Sequence, residues 1–294
     1  MIESVTIVND SISQYNRVTI DKKTGNNFVL NEANLGTIEG KHQSSKYIGQ
    51  VGEYVSYSSM GTRSISISGW VIGANESDIR NSKAILNRLV NPLDELKLEV
   101  FDCLLFFKPD STIKYSSSYN ENNEVLCKFI IQGTAFAPLF VSQNGQTVDL
   151  AYEVPVFHFP LVIPEDGIVM SYREPALIKN VYNAGDVETG VEIIIVANGA
   201  VKNPTIINAS TNEFFRINKV LEAGERISIC TSSGEEKVLG KLNEVEMNYF
   251  EYIDLDSTWL QLDVGDTLLK YDADENINLM EVTLKFTEKY LEVQ

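Results

Sequence analysis

Between Val181 and Asn208 the chain alternates short apolar runs with turn residues so closely that only short strands fit. Asn183, Gly185 and Asp186 form a turn cluster. Val191 to Ala197, VEIIIVA, is almost wholly apolar and rich in β-branched residues. Asn198-Gly199 offers a type I′ hairpin turn. Asn203-Pro204 breaks the next segment, and Ile206 and Ile207 resume it. The same punctuation recurs at Thr211-Asn212, Gly224, Ser233-Gly234 and Gly265-Asp266. Short strands with regularly spaced turns predict a β-sandwich, whose best-formed late strand holds Trp259, Leu260 and Leu262.

The first half reads differently. Val5 to Val8, Val18 to Ile20 and Phe28 to Leu30 are short strands between turn residues. Residues 31–62 are polar and Gly/Ser-rich without strong periodicity, a length uncommon inside a compact domain. The expectation is a disordered loop or a long arm ordered by a neighbour. Ser64 to Trp70, SISISGW, alternates strictly, with Ile65 and Ile67 on one face. The one convincing helix spans about 77–90, with Ser77 as N-cap, Ile79, Leu86, Leu89 and Val90 at helical spacing, and Asn91-Pro92 as the stop. Leu96 to Phe107 reads as one long strand, and Leu126 to Phe140 as another, broken by Gly133 and Pro138. The prolines after Phe157 suggest a boundary between 140 and 175, giving domains 1–160 and 161–294.

Charge divides the same way. Residues 1–150 hold 13 Lys/Arg and 16 Asp/Glu, a net of −3, and residues 151–294 hold 11 and 25, a net of −14. The second half should repel nucleic acid and anionic membranes. The longest central apolar run, Cys103 to Phe107, is too short to span a bilayer. MIESVTIVND has neither a basic nor a long apolar region, so no secretory signal is read and cytoplasmic synthesis is expected.

The residues that could carry chemistry lack its context. Cys103, Cys127 and Cys230 are odd in number and widely spaced, so neither a metal pattern nor a disulfide framework emerges. Cys103 with His158 is a formal nucleophile–base pair, but no nucleophile motif surrounds any cysteine, and neither His42 nor His158 has an acid beside it. Asp254 and Asp256 would share a strand face like a glycosidase pair, without an arguable cleft. Asp272, Asp274 and Asn276 open like a calcium loop, but its sixth position is Ile277 and its twelfth Thr283. No catalytic, cofactor-binding or metal-binding residue is assigned.

Several motifs in order carry a resemblance: N-x-GD-x-ETG at 183–190, NP-x-I-x-N at 203–208, L-x-x-GE at 221–225, I-x-T-x-x-G at 229–234 and LDS-x-W-x-x-L-x-x-G at 255–265. They follow an N-terminal half of strands, a polar loop, SISISGW, a helix ending in NP, and LKLEV. Nearly the whole chain, its C-terminal motifs above all, resembles the distal tail (Dit) proteins of long-tailed bacteriophages and prophages. Two departures stand out: Asp266 with Leu268-Leu269, where relatives often have a G-x-N turn, and AFAPLF at 135–140.

The resemblance implies a mainly β chain: an N-terminal β-rich domain with one helix, then a galectin-like β-sandwich. It implies a homo-hexameric ring at the tail tip, joining the tail tube protein to the tail-associated hub (lysin) protein. N-terminal domains would line the channel through which DNA passes without specific binding. C-terminal domains would hold receptor-binding or baseplate proteins. A bore that releases DNA should avoid basic lining, a condition the N-terminal half meets only if Lys41, Lys46, Arg63 and Arg80 point away from it. The alternative is a carbohydrate-binding module contacting the host wall. Against it, of the candidate aromatics Phe214, Phe215, Tyr249, Phe250, Tyr252 and Trp259, Phe250 and Tyr252 should alternate on one strand face and Trp259 lie in a strand, so most should feed the core rather than form a platform.

Overall fold

The computed structural model describes residues 2–23, 27–49, 51–150, 152–155, 171–174 and 178–293. It separates into two compact units. One comprises Met1–Gln143 with Tyr290–Gln294, the other Asn144–Lys289. The proline connector, His158 included, lies outside the described residues.

The first unit runs β1 (Ser4–Val8), β2 (Arg17–Asp21), β3 (Phe28–Asn34), β4 (Gly40–Ser45), β5 (Tyr54–Met60) and β6 (Arg63–Ile72). Then come α1 (Glu76–Leu89), β7 (Leu96–Val100), β8 (Cys103–Pro109), β9 (Lys114–Tyr115), β10 (Leu126–Ala135) and β11 (Phe140–Ser142). Strands pair in the order β7-β1-β2-β3-β6-β10, and β8 pairs with both β7 and β10. The sheet therefore closes into a seven-stranded barrel, which removes most of its open edges. Gly133 sits at the closure, where a Cβ would meet the Phe107 ring at 2.5 Å. Alternation sends Ile65, Ile67, Phe129, Ile131, Leu98 and Leu105 into the barrel core.

Two N-terminal expectations change. The helix cap is Asn75, not Ser77: its side chain accepts from the Asp78 amide at 3.0 Å, and Asp78 accepts from the Ala74 amide at 3.2 Å. Leu96 to Phe107 is a hairpin, not one strand, because Phe101 takes a left-handed φ of 51° and turns β7 back onto β8. Within residues 31–62 the start finishes β3, and β4 and β5 form a separate two-stranded hairpin. Its strands are exposed on nearly every residue, so they lack the one-sided apolar alternation that marks a packed strand.

The second unit begins with β12 (Gln146–Asp149), β13 (Tyr152–Pro155) and β14 (Ser171–Glu174). It continues through β15 (Lys179–Asn183), β16 (Thr189–Gly190), β17 (Glu192–Ala197), β18 (Val201–Lys202), β19 (Thr205–Asn208) and β20 (Phe214–Arg216). β21 (Val220–Leu221), β22 (Arg226–Cys230), β23 (Lys237–Leu242) and β24 (Val245–Asn248) follow. β25 (Gln261–Leu262), β26 (Gly265–Asp272) and β27 (Met280–Phe286) complete it. A six-stranded sheet, β12-β27-β17-β22-β23-β24, and a four-stranded sheet, β15-β26-β19-β20, both contribute to one core. Ile193, Ile195, Ile227 and Leu284 come from the first, and Ile206, Phe215, Leu269 and Tyr271 from the second. This is the sandwich the turn spacing predicts. The last segment, β28 (Lys289–Tyr290), lies beside β11.

Asn198-Gly199 is not a hairpin turn. β17 pairs with β22 and β27, β18 pairs with β21, and neither residue has a positive φ. Long-range bonds override the local preference: the Asn198 amide donates to the Leu279 carbonyl, and its side chain donates to Glu281. Residues 250–252 form a 3-10 turn rather than a strand, with the Asn248 side chain accepting from the Phe250 amide. Only Gln261 and Leu262 of the late segment pair as a strand.

Candidate functional site

Three features could carry a role, and each lies within one unit. The first is the β4–β5 hairpin. Tyr54, Val55, Tyr57 and Met60 on β5 are exposed, as are Tyr47, Ile48 and Val51 towards its tip. The Gly61 amide donates to the Glu39 carbonyl at 2.7 Å, so the hairpin leaves and re-enters the barrel at adjacent points. An isolated two-stranded hairpin is marginal in water at best.

The second feature is Arg63, whose side chain is fully buried. Its guanidinium donates to the carbonyls of Pro138 at 2.8 Å, Gly36 at 3.0 Å and Leu35 at 3.3 Å, and to that of Leu291. It stacks over Phe140 at 4.6 Å and lies 3.5 Å from the exposed Glu292 carboxylate. Burial pushes its pKa down, while Glu292 pulls it back up. Gly36 is required beside it: φ is +64°, and a Cβ there would fall 2.0 Å from the Ser64 carbonyl oxygen. Arg63 is thus a clamp, closed to any passing ligand. Arg80 pairs with Glu76 at 2.7 Å on the exposed helix face, and Lys41 and Lys46 are exposed.

The third feature is a groove of about 510 Å³ on the outer face of the four-stranded sheet. Two cross-strand rows make its floor. Thr205 stands between Asp272 and Arg216, and Ile207 between Lys270 and Phe214. The turn carrying Asp254 and Asp256 lines it further. Arg216 is fixed by Asp274 at 2.7 Å and Asn218 at 3.1 Å, and Asn218 in turn donates to Asp254 at 2.9 Å. Those bonds hold the Asp254 and Asp274 carboxyls below their ordinary pKa, Asn218 being the chief cause for Asp254 and Asn203 for Asp274.

The sequence candidates fall out as follows. Asp254 and Asp256 lie in a turn, where Asp254 accepts from the Asp256 amide, and not on a strand face. Asp274 accepts from Asn203 and Arg216, and Asn276 donates to the Ala200 carbonyl. Among the described residues, no group of three or more His, Cys, Asp or Glu gathers as a metal-holding cluster. Among the described residues no helix is long and apolar enough to cross a membrane. His42 is exposed on β4, its ring 2.9 Å from the Ser58 hydroxyl. Cys127 is buried, while Cys103 and Cys230 are half-buried, and burial pushes the Cys103 thiol up. Phe215 and Tyr249 are core residues, and Tyr252 and Trp259 pack against that core. Phe250 is exposed but leans on Trp259 at 5.9 Å, and Phe214 faces the groove.

The chain superposes on the SPP1 phage Dit protein, described as a paradigm of the hub adsorption apparatus in phages infecting Gram-positive hosts. That match has a TM-score of 0.67 at 16% identity, over 97% of this chain and 98% of that one. A chain of the phage P2 baseplate in its activated conformation with Ca matches at a TM-score of 0.51 and 11% identity, over 100% of both chains. Residues 184–290 match the family model for the C-terminal domain of siphovirus-type tail components. That match takes in most of the ordered motifs between 183 and 265 that carry the resemblance. No curated protein matches significantly.

Proposed function

We propose that this chain is the distal tail protein of a long-tailed phage or prophage: a structural, non-enzymatic subunit of the tail tip. Six copies form a ring that joins the tail tube to the hub protein and lets DNA pass. The sandwich unit serves as the attachment side for receptor-binding or baseplate proteins. The subunit is made in the host cytoplasm and resides in the virion.

The observation that supports the ring is the β4–β5 hairpin. It cannot stabilise itself, and its exposed tyrosines and aliphatics need a cover. Burying four such side chains against a neighbour contributes roughly 6–12 kcal/mol before ordering costs are subtracted. A second copy is the natural cover in a symmetric ring. Excising residues 40–60 and joining Glu39 to Gly61 through two glycines tests this, since those ends already touch. Negative-stain imaging should show six-fold rings for the full chain and none for the excised variant, with the thermal transition of the sandwich kept. Rings that form normally without the hairpin refute the proposal.

A second reading, a carbohydrate-binding module, is favoured by one observation: the groove on the four-stranded sheet, with Phe214 on its floor.

A further inference from the structure

We propose that the groove over β19, β20 and β26 binds one or two units of a neutral or amino-bearing glycan. This rests on the second reading above and is independent of the ring. The chemistry of the two floor rows carries it. Ile207 and Phe214 are neighbours across β19 and β20 and present a half-buried apolar strip. The adjoining row, Asp272, Thr205 and Arg216, is polar. A pyranose has the same two-sided character, a C–H face and a rim of hydroxyls. Laid on the floor, it puts C–H groups on Phe214 and Ile207 and hydroxyls on the polar row.

The polar groups are set before any ligand arrives. Asp274 and Asn218 hold the Arg216 guanidinium in place and leave N–H groups over. The Asp272 carboxylate accepts from the Ala273 amide and keeps lone pairs for further donors. Lys270 supplies an ammonium beside the apolar strip. A volume of about 510 Å³ falls within the usual range for a small-ligand site. Charge selects among glycans. The groove carries Asp254, Asp256, Asp272 and Asp274 against Arg216 and Lys270, in a half of the chain with net charge −14. Phosphate-bearing polymers are therefore disfavoured, and a protonated amino sugar is accepted.

The test is calorimetry and saturation-transfer NMR on the full chain. The probes are tetramers of β-linked glucose, N-acetylglucosamine and glucosamine, a glycerol-phosphate tetramer, and a lysine-bearing hexapeptide. At least one of the three sugars should bind with a Kd tighter than roughly 1 mM. Phe214→Ala and Asp256→Asn should each weaken it at least about tenfold with an unchanged thermal transition. The glycerol-phosphate tetramer should bind more weakly than that sugar. The proposal is overturned if no sugar binds at that level, if binding is indifferent to both substitutions, or if the phosphate oligomer or the peptide binds more tightly. Ring imaging of the same preparations reads the assembly separately, so either result can fail alone.

Discussion

Arg63→Ala should destabilise the first unit more than any other single polar substitution in it. The wild-type guanidinium has no solvent and serves four carbonyls, from residues 35, 36, 138 and 291. Those carbonyls belong to the end of β3, the link after β10 and the returning tail. Truncation leaves them without this donor inside a cavity the size of the side chain, and removes the stacking on Phe140. Breaking a buried charged network by deleting one member typically costs about 3–5 kcal/mol. The carboxylate contributes little of this. Glu292 is 62% exposed and 3.5 Å away, so Glu292→Gln should cost under about 1 kcal/mol. Arg63→Lys keeps the charge but concentrates three donors at one point, which cannot reach four diverging acceptors, so it should cost about 2–4 kcal/mol. Urea unfolding followed by tryptophan fluorescence measures all three, because Trp70 lies in the first unit and Trp259 in the second. An Arg63→Ala loss below 1 kcal/mol, or a Glu292→Gln loss equal to it, would refute the clamp.

The helix offers a simpler case: Leu86 is fully buried, so Leu86→Ala should cost roughly 2–5 kcal/mol in the same unfolding assay. Glu225 is buried, and burial raises its pKa, but hydrogen bonds from Lys219, the Glu222 amide and Tyr249 outweigh that and leave it depressed. A depressed carboxyl stabilises the fold above its unfolded value and loses that contribution as pH falls through the folded one. The thermal midpoint of the second unit should therefore drop more steeply for wild type than for Glu225→Gln between about pH 5 and pH 3; parallel curves would contradict the assignment. Limited proteolysis should cut first in the proline connector or the hairpin, and first cuts inside 183–265 would argue against two domains.

The sequence made some of this legible and hid the rest for definite reasons. Strands with one wet and one dry face declare themselves: the SISISGW alternation is β6, with Ile65 and Ile67 in the barrel. The helix also declared its core face through Ile79, Leu86 and Leu89. The β4–β5 hairpin gave no such signal because neither face is buried in the subunit, so period-two patterning has nothing to act on. Local turn chemistry misled where tertiary bonds were stronger. Asn198-Gly199 has the composition of a tight hairpin, yet its backbone is held by Leu279, some 80 residues on. The Arg63 clamp could not be read at all, since its acceptors are backbone carbonyls, which no side-chain motif records.

The groove shows a subtler limit. The aromatic spacing argued that the rings of the second half feed its core, and for Phe215 and Tyr249 they do. Phe214 and Phe215 are consecutive on β20, so if one is buried the other must face outward. What lies outward depends on which strands flank β20, and that is a property of topology. β19 and β26 bring Ile207 and Lys270 alongside, and a turn some 40 residues downstream supplies Asp254 and Asp256. Arg216 becomes part of a site only because Asp274, 58 positions away, holds it still. Asp274→Ala should therefore leave the fold intact yet weaken glycan binding through a loosened Arg216, and Asp274→Asn should restore part of it by keeping an acceptor in place. Equal losses in both variants would place Asp274 in direct contact with the ligand instead of behind Arg216.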